Sequence, residues 1–181
     1  MESKEEKGAR GETRFAEWLD NNSLGYIYIK QDIESYAKLF GALVKRPDFL
    51  VLFESIGLIA VDVKNYKLCN DDYFTLNMER EIKKVLAFER LFRLPVWYAY
   101  MGNEQGTDWH WLSALRAVEA GGIAYRKDEG TYLKIPLKEF VSISTRQDIG
   151  QLWIKGTTPV RKICAMESKF VDTIVAEKRI K

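Results

Sequence analysis

Two aspartates and a lysine interrupt a stretch that otherwise reads as core, "RPDFLVLFESIGLIAVDVKNYK" at residues 46–67. Asp48 opens the first apolar run, and Asp62 and Lys64 break the end of the second. Residues two apart in a strand share a face, so Asp62 and Lys64 are expected to point the same way. Two carboxylates and an amine in strands of this kind are typical of a site for acid–base or metal chemistry.

The two apolar runs are predicted to pair as a hairpin, with Gly57 supplying a positive φ in the turn. A three-residue loop at 54–56 pairs Phe53 with Gly57 and places Asp48 directly opposite Asp62. A four-residue loop displaces Asp48 by one position only. Facing carboxylates repel each other unless a cation lies between them. Mg²⁺ removes such repulsion, because it binds one or two protein carboxylates together with water and substrate phosphate.

A third carboxylate, Glu12, lies in a predicted first helix over residues 4–21. It stands three residues before Phe15 and seven before Leu19, and therefore on the apolar stripe of its own helix. A carboxylate there is costly unless it is paired or bound to metal. Glu12 is therefore expected to join the two aspartates.

The elements that must position these groups alternate between helix and strand. Segment 32–45 fits either a short helix or a loop, and an amphipathic helix is predicted at 78–93. Strands are predicted at 26–31, 48–53, 58–64, 73–77 and 96–101, with weaker ones at "DWHWLSA" and "TYLKIPL". "LRAVEAGG" predicts a helical turn with a glycine cap, and "KEFVSIS" fits a short helix or a strand. Together these elements predict an α/β domain with a mixed sheet.

Composition sets the wider frame. The chain has 181 residues and a formal net charge of +2, which neither requires nor excludes a nucleic-acid partner. We predict one domain, with its body at 1–150 and a helical extension with a basic tail at 151–181. No apolar run is long enough to span a bilayer, and the charged N-terminus is unlike a signal peptide, which predicts a cytoplasmic protein without a membrane partner. Cys69 and Cys164 are expected to be reduced, buried thiols.

Three short motifs carry a resemblance to a known family. "GE" in the first helix, "RPDF" on one strand and "VDVK" on the next resemble the PD-(D/E)xK nuclease superfamily. Within it the chain is similar to the small archaeal Holliday-junction resolvases and restriction-endonuclease-like proteins, over roughly residues 8 to 101. The resemblance implies a restriction-endonuclease-like α-β-β-β-α-β core, with a mixed central sheet flanked by helices.

The resemblance also implies roles for the unusual residues. Asp48 and Asp62, with the backbone carbonyl of Val63, would ligate Mg²⁺ or Mn²⁺. Lys64 would orient or help deprotonate the attacking water and offset phosphate charge. Glu12 would complete the site, directly or through water. The implied reaction is in-line, metal-assisted hydrolysis of a phosphodiester in DNA.

Basic residues near these positions are candidates for phosphate contacts. Those on the 78–93 helix fit a solvated face equally well. His110 and the tryptophans at 97, 109, 111 and 153 are expected to pack rather than catalyse or stack on bases. A homodimer is expected, since two-strand cleavage in this superfamily commonly uses one. The DNA-contact candidates are Lys45, Arg46, Lys83, Lys84, Arg90 and Arg93.

Two functions from different classes follow from these observations. The first is a metal-dependent endonuclease (a deoxyribonuclease). The second is a non-catalytic nucleic-acid-binding or assembly module that keeps the nuclease fold. Clustered carboxylates repel phosphate and are of no use to a binding module, which favours the nuclease. Fold alone does not decide between the two functions.

Overall fold

The computed structural model describes residues 3–31, 43–54, 57–69, 72–128 and 130–155. These residues form two sheets, one of six strands and one of three. The strands are β1 Gly25–Tyr28, β2 Phe49–Phe53, β3 Gly57–Lys64, β4 Tyr73–Asn77, β5 Val96–Met101, β6 Trp109–Ser113, β7 Gly122–Arg126, β8 Gly130–Pro136 and β9 Val141–Ile143. The helices are α1 Lys4–Asn21, α2 Lys83–Phe92, α3 Ala114–Ala120 and α4 Gly150–Lys155, with a π-helical turn at Met78–Ile82 and 3₁₀ turns at Leu137–Glu139 and Arg146–Ile149.

The large sheet has the strand order β1-β2-β3-β5-β6-β9. Only the β3–β5 pair is parallel, and the four other pairs are antiparallel. The succession α1-β1-β2-β3-α2-β5 is the α-β-β-β-α-β core that the resemblance implies, so the predicted fold class is confirmed. The small antiparallel sheet, in the order β4-β8-β7, is an addition that the sequence did not predict.

Helix α1 covers one face of the large sheet. It begins with a capping box in which the side chains of Ser3 and Glu6 each accept from the other's backbone N–H. Phe15 is buried at its centre, against the rings of Phe49 and Trp111. Gly11 lets the helix approach β3, because a Cβ at this position would lie 3.0 Å from the Asn65 side chain.

The opposite face of the large sheet packs against α2, α3 and the small sheet. Ile82, Val85 and Phe88 project from the π-helical turn and α2 into this second core. They meet Tyr98 on β5 and residues of β4 and β8. Asp62 and Lys64 lie on the same face of the sheet as α2. They follow Ala60, a residue of this core, by two and four positions in β3, and every second side chain of a strand points to the same face.

The predicted helix at 78–93 differs from the observed one at both ends. Its first turn is π-helical, and the N–H of Lys83 donates to the carbonyl of Met78, five residues earlier. The Asn77 side chain accepts from the N–H of Arg80 and so caps this wider turn. The helix ends at Phe92, and Arg93 adopts a left-handed conformation with φ 57° rather than a helical one.

Other local predictions have mixed outcomes. The predicted glycine cap after α3 is confirmed, since Gly121 is the C-cap and its N–H donates to the carbonyl of Ala117, although its φ of −73° is not left-handed. Cys69 is a free thiol but half-buried rather than buried. Residues 32–42, Cys164 and the predicted tail at 156–181 lie outside the described residues, and residues 43–47 form neither helix nor strand. None of the described helices is long and apolar enough to cross a membrane.

Candidate active site

The hairpin brings the two aspartates close together at its open end. Phe53 pairs with Gly57, which has φ +97°, and the regular register ends where Phe49 pairs with Val61. Asp48 precedes Phe49 and Asp62 follows Val61, so the two aspartates lie just beyond the last pair. The N–H of Asp48 donates to the carbonyl of Val61 at 2.9 Å, one residue off the register that would pair Asp48 with Asp62, so Asp48 departs from the regular ladder.

The three charged groups of this hairpin are all buried. Asp48 is 8% exposed, Asp62 1% and Lys64 5%. The parallel register with β5 places Tyr98 beside Asp62 and Tyr100 beside Lys64. Burying charged groups in this way is costly unless each has a compensating partner.

Asp62 has two ammonium partners. Its Oδ2 lies 2.6 Å from Nζ of Lys64, and its Oδ1 lies 2.9 Å from Nζ of Lys45. Burial raises the pKa of Asp62, but the two lysines outweigh this and hold the pKa below its usual value. Asp62 is therefore an ionised carboxylate stabilised by two positive charges.

Lys64 is likewise charged, although it is almost fully buried. Burial lowers its pKa, but Asp62 and Glu81 outweigh this and hold the pKa of Lys64 well above its usual value. Its Nζ also lies 5.8 Å from the centre of the Tyr98 ring. The ammonium is thus fixed at one position between two carboxylates and an aromatic face.

Asp48 has a different environment from its neighbour. Its Oδ2 accepts from the N–H of Val63 at 2.7 Å, and its Oδ1 accepts from Nε2 of Gln31 at 3.3 Å. Burial and the negative charge of Asp62 raise the pKa of Asp48 well above its usual value. Two facing carboxylates thus have pKa values shifted in opposite directions.

Lys45 and Glu81 complete a closed ring of ion pairs. Nζ of Lys45 lies 2.6 Å from Oε2 of Glu81, and the same oxygen lies 2.8 Å from Nζ of Lys64. Two acids and two lysines therefore alternate around the ring Asp62–Lys64–Glu81–Lys45. Lys45, predicted to be at the rim of the site, lies within it.

Glu81 is the site residue that the sequence analysis missed. It follows Met78 by three residues and precedes Val85 by four, so it lies on the apolar stripe of its helix. The argument that singled out Glu12 applies to Glu81 equally. Lys45 has no comparable signal, since residues 43–47 belong to no helix or strand.

Glu12 approaches the site from the other side of the sheet. It lies on α1, half-buried, and its Oε2 accepts a hydrogen bond of 2.7 Å from the Tyr28 hydroxyl. This bond raises the pKa of Tyr28 to about 12. The charge of Glu12 also helps raise the pKa of Asp48. Glu12 therefore acts on Asp48 electrostatically but is not part of the ion-pair ring.

The carboxylates are suitable ligands for a divalent cation, but they do not form a complete set of protein ligands around it. Within the described parts of the chain, no three His, Cys, Asp or Glu side chains are arranged to hold a metal ion. Mg²⁺ does not need such a cage, because one or two protein carboxylates with water and substrate oxygens suffice. Asp48 and Asp62 are buried oxygen donors whose mutual repulsion a cation would relieve. We therefore regard the pair as a fit for Mg²⁺ or Mn²⁺.

The remaining candidates for DNA contact differ in solvent exposure and in ion pairing. Lys83 is paired with Glu79, an exposed residue of the π-helical turn. Lys84 is half-buried, whereas Arg90 and Arg93 are exposed at the C-terminal end of α2. Arg46 lies beside the site, with its Nε 3.3 Å from Oε1 of Gln31.

The aromatic residues near β6 serve packing, as expected. Trp109 and Trp111 are fully buried, and Trp97 is half-buried against the same core. His110 lies 3.0 Å from the Ser142 hydroxyl through Nδ1 and is not part of the charged cluster. The side chain of Trp153 lies outside the described residues.

No family model and no curated protein matches the chain. Among solved structures, it is similar to a Holliday junction resolvase, Hjc, from the archaeal hyperthermophile Archaeoglobus fulgidus. The TM-score is 0.49 at 15% identity, and the alignment covers 84% of this chain and 98% of the resolvase.

Proposed function

We propose that this chain is a divalent-metal-dependent endonuclease that hydrolyses phosphodiester bonds in DNA. The observation that supports the proposal is the burial of Asp48 and Asp62 close together at the end of the hairpin, with Lys64 two residues after Asp62 on the same face. Core packing alone would place apolar residues at these positions. Three buried charges there are explained by chemistry with a charged substrate.

Each residue has a role in this proposal. Asp48 and Asp62, with the Val63 carbonyl, would hold Mg²⁺ or Mn²⁺, and Glu12 would complete the site directly or through water. When bound, the ion would act as a Lewis acid and lower the pKa of a bound water. Lys64, held as an ammonium beside Asp62, would orient the attacking water and offset the phosphate charge.

One observation favours the alternative, a non-catalytic module that keeps the fold. The ion-pair ring already compensates Asp62 with two lysines. A site that had lost catalysis would be stable in this arrangement without metal. The two functions differ in whether the protein cleaves DNA, and not in whether it binds DNA.

The test is a cleavage assay with a matched inactive control. The purified chain and its Asp48→Asn variant are incubated with branched, single-stranded and duplex DNAs, in Mg²⁺, in Mn²⁺ and in EDTA. We expect the wild type to cleave at least one substrate with either metal, and the variant and the EDTA samples to leave all substrates intact. DNA binding by both proteins without cleavage by either would favour the alternative.

We further propose that basic residues around α2 bind DNA phosphates and that the active form is a homodimer. The exposed positions of Arg90 and Arg93 support the first part. The double variant Lys83→Ala/Lys84→Ala is expected to weaken DNA binding without changing metal affinity. Each lost phosphate contact would reduce the log–log salt slope by about 0.9 on duplex DNA. Unchanged affinity and slope would show that Lys83 and Lys84 are only solvated surface.

Sedimentation of the free protein and of its DNA complex tests the dimer. A single-copy complex on a branched substrate that the protein cleaves would exclude it. The cytoplasmic location and the domain limits at 1–150 and 151–181 stay predictions.

A further inference from the structure

We propose that Lys45 is a built-in counter-cation, which occupies Asp62 in the metal-free protein and must be displaced for a divalent ion to bind. The inference rests on the proposed metal-dependent function and adds a residue that the motif does not contain. Lys45 lowers the metal affinity of the DNA-free protein, because its ammonium competes with the ion for the Asp62 carboxylate.

The geometry of Asp62 leads to this inference. Nζ of Lys45 lies 2.9 Å from Oδ1 and 3.0 Å from Oδ2, so a single ammonium spans both oxygens. Lys64 contacts Oδ2 as well, at 2.6 Å. With the side chain 2% exposed, little of the carboxylate is left open to a further cation. A metal ion therefore gains Asp62 as a ligand only if one ammonium leaves.

Lys45 is the lysine that is able to leave. Its side chain is 25% exposed, whereas that of Lys64 is 5% exposed. Lys45 lies in residues 43–47, which form no helix or strand, while Lys64 ends β3 and packs against the Tyr98 ring. A long lysine stem at the surface regains rotamer freedom when its ammonium moves into water. The same movement of Lys64 would break the contacts of its buried Nζ with Asp62, Glu81 and the Tyr98 ring.

The charge balance explains why the competition matters. Two acids and two lysines in the ring sum to zero, so the resting site presents little net charge to an approaching cation. Loss of Lys45 from the ring leaves Asp62 and Glu81 with one ammonium between them. The site then carries a net negative charge, to which Asp48 adds when it is ionised. Metal binding therefore exchanges one cation for another at Asp62, the divalent ion for the Lys45 ammonium.

The test compares metal affinity in two variants of the same position. Lys45→Met removes the ammonium but keeps an unbranched stem, and Lys45→Arg keeps the positive charge. MnCl₂ is titrated into each DNA-free protein and followed by calorimetry and by the electron paramagnetic resonance signal of free Mn²⁺. We expect Lys45→Met to bind Mn²⁺ at least tenfold more tightly than the wild type, and Lys45→Arg to show no gain. The control Lys67→Ala, which removes an exposed lysine three residues after Lys64, should bind as the wild type does.

A melting experiment provides a second readout that does not depend on activity. Without metal, Lys45→Met should melt below the wild type, because Asp62 and Glu81 lose a partner. Saturating Mn²⁺ should raise its melting temperature by more than it raises that of the wild type. Equal Mn²⁺ affinities in wild type and Lys45→Met, or weaker binding by the variant, would overturn the inference while leaving the proposed function intact. Absence of Mn²⁺ binding in every protein would overturn both.

Discussion

The two faces of the six-stranded sheet are built by the same strands but from different chemistry. The face against α1 is apolar and aromatic, with the Phe15 ring 4.8 Å from Trp109 and 5.2 Å from Phe49. The face against α2 buries Asp62 and Lys64 among apolar neighbours. Buried polar atoms with no hydrogen-bond partner among the described residues occur on both faces, the hydroxyls of Tyr98 and Tyr100 on the α2 face and Nε1 of Trp111 on the α1 face.

This difference shows how structure and function divide between the faces. Residues on the α1 face are explained by the apolar area they remove from water. Those on the α2 face are not, because burying a charge or an unsatisfied hydroxyl works against folding. We therefore expect substitutions on the α1 face to change stability, and those at the charged cluster to change stability and metal binding together.

The largest effect is expected on the α1 face. Phe15→Ala removes a ring that contacts four other aromatic residues, and it should lower the free energy of unfolding by about 4 kcal/mol. Urea denaturation monitored by circular dichroism measures this loss. Mn²⁺ affinity, measured where the variant is still folded, should stay as in the wild type. A loss of stability below 1 kcal/mol, or a changed affinity, would show that the faces are not separate in this way.

The next largest effect is expected at Asp62. Asp62→Ala leaves Lys45 and Lys64 with Glu81 as their shared partner, and it should lower the free energy of unfolding by about 3 kcal/mol. It should also abolish Mn²⁺ binding in calorimetry. The combined loss of stability and of Mn²⁺ binding distinguishes Asp62→Ala from Phe15→Ala.

Glu79 offers a matched control for Asp62. It forms an ion pair with Lys83 in which both side chains are largely exposed. Glu79→Ala removes one carboxylate from an ion pair, as Asp62→Ala does, but at the surface. Its effect on the free energy of unfolding should be below about 1 kcal/mol. Similar losses for both variants would mean that burial of the ring contributes nothing to its strength.

Among the site residues, the smallest effect is expected at Asp48, and it has the opposite sign. Asp48→Asn removes one of two repelling carboxylates and should raise the free energy of unfolding at neutral pH by about 1 kcal/mol, while abolishing DNA cleavage. Urea denaturation and the cleavage assay measure the two changes on one preparation. A destabilised variant would indicate that Asp48 is structural.

The pH dependence of this gain follows from the pKa of Asp48. Its folded-state pKa lies above the unfolded-state value, so the folded protein binds more protons than the unfolded chain between the two values. Stability of the wild type therefore falls as pH rises through that interval. Asparagine does not titrate, so the advantage of Asp48→Asn should be greatest above the interval and vanish as pH falls towards 4. An advantage that is constant with pH would exclude an electrostatic origin.

Much of the hairpin could be predicted from the sequence because its geometry is local. The positive φ of Gly57 and the register from Phe53–Gly57 to Phe49–Val61 follow from a loop length and a two-residue period. The first helix is equally local, since its cap and apolar stripe lie within residues 3–21. These predictions are confirmed for that reason.

The rest of the site depends on contacts between distant segments. Three of the four ion pairs in the ring join distant segments. Lys45 and Asp62 are 17 residues apart, Lys64 and Glu81 are 17 apart, and Lys45 and Glu81 are 36 apart. No period or spacing reports such contacts, so Lys45 was predicted only as a candidate for DNA contact. The π-helical turn is similarly invisible in the hydrophobic pattern, because its five residues are too few to show a period of their own. The small sheet was missed because β7, with mostly exposed residues, lacks strand alternation.

The turn between β2 and β3 has a consequence for how this sequence can diverge. Surface turns are normally where insertions and deletions accumulate. Here three residues separate Phe53 from Gly57, and that number sets the register of β2 against β3 and with it the closeness of Asp48 to Asp62. A slip of one residue would turn Asp48 to the α1 face and present Phe49 to the charged ring. Relatives that keep the site are therefore expected to vary the residue types in this turn freely and to conserve its length.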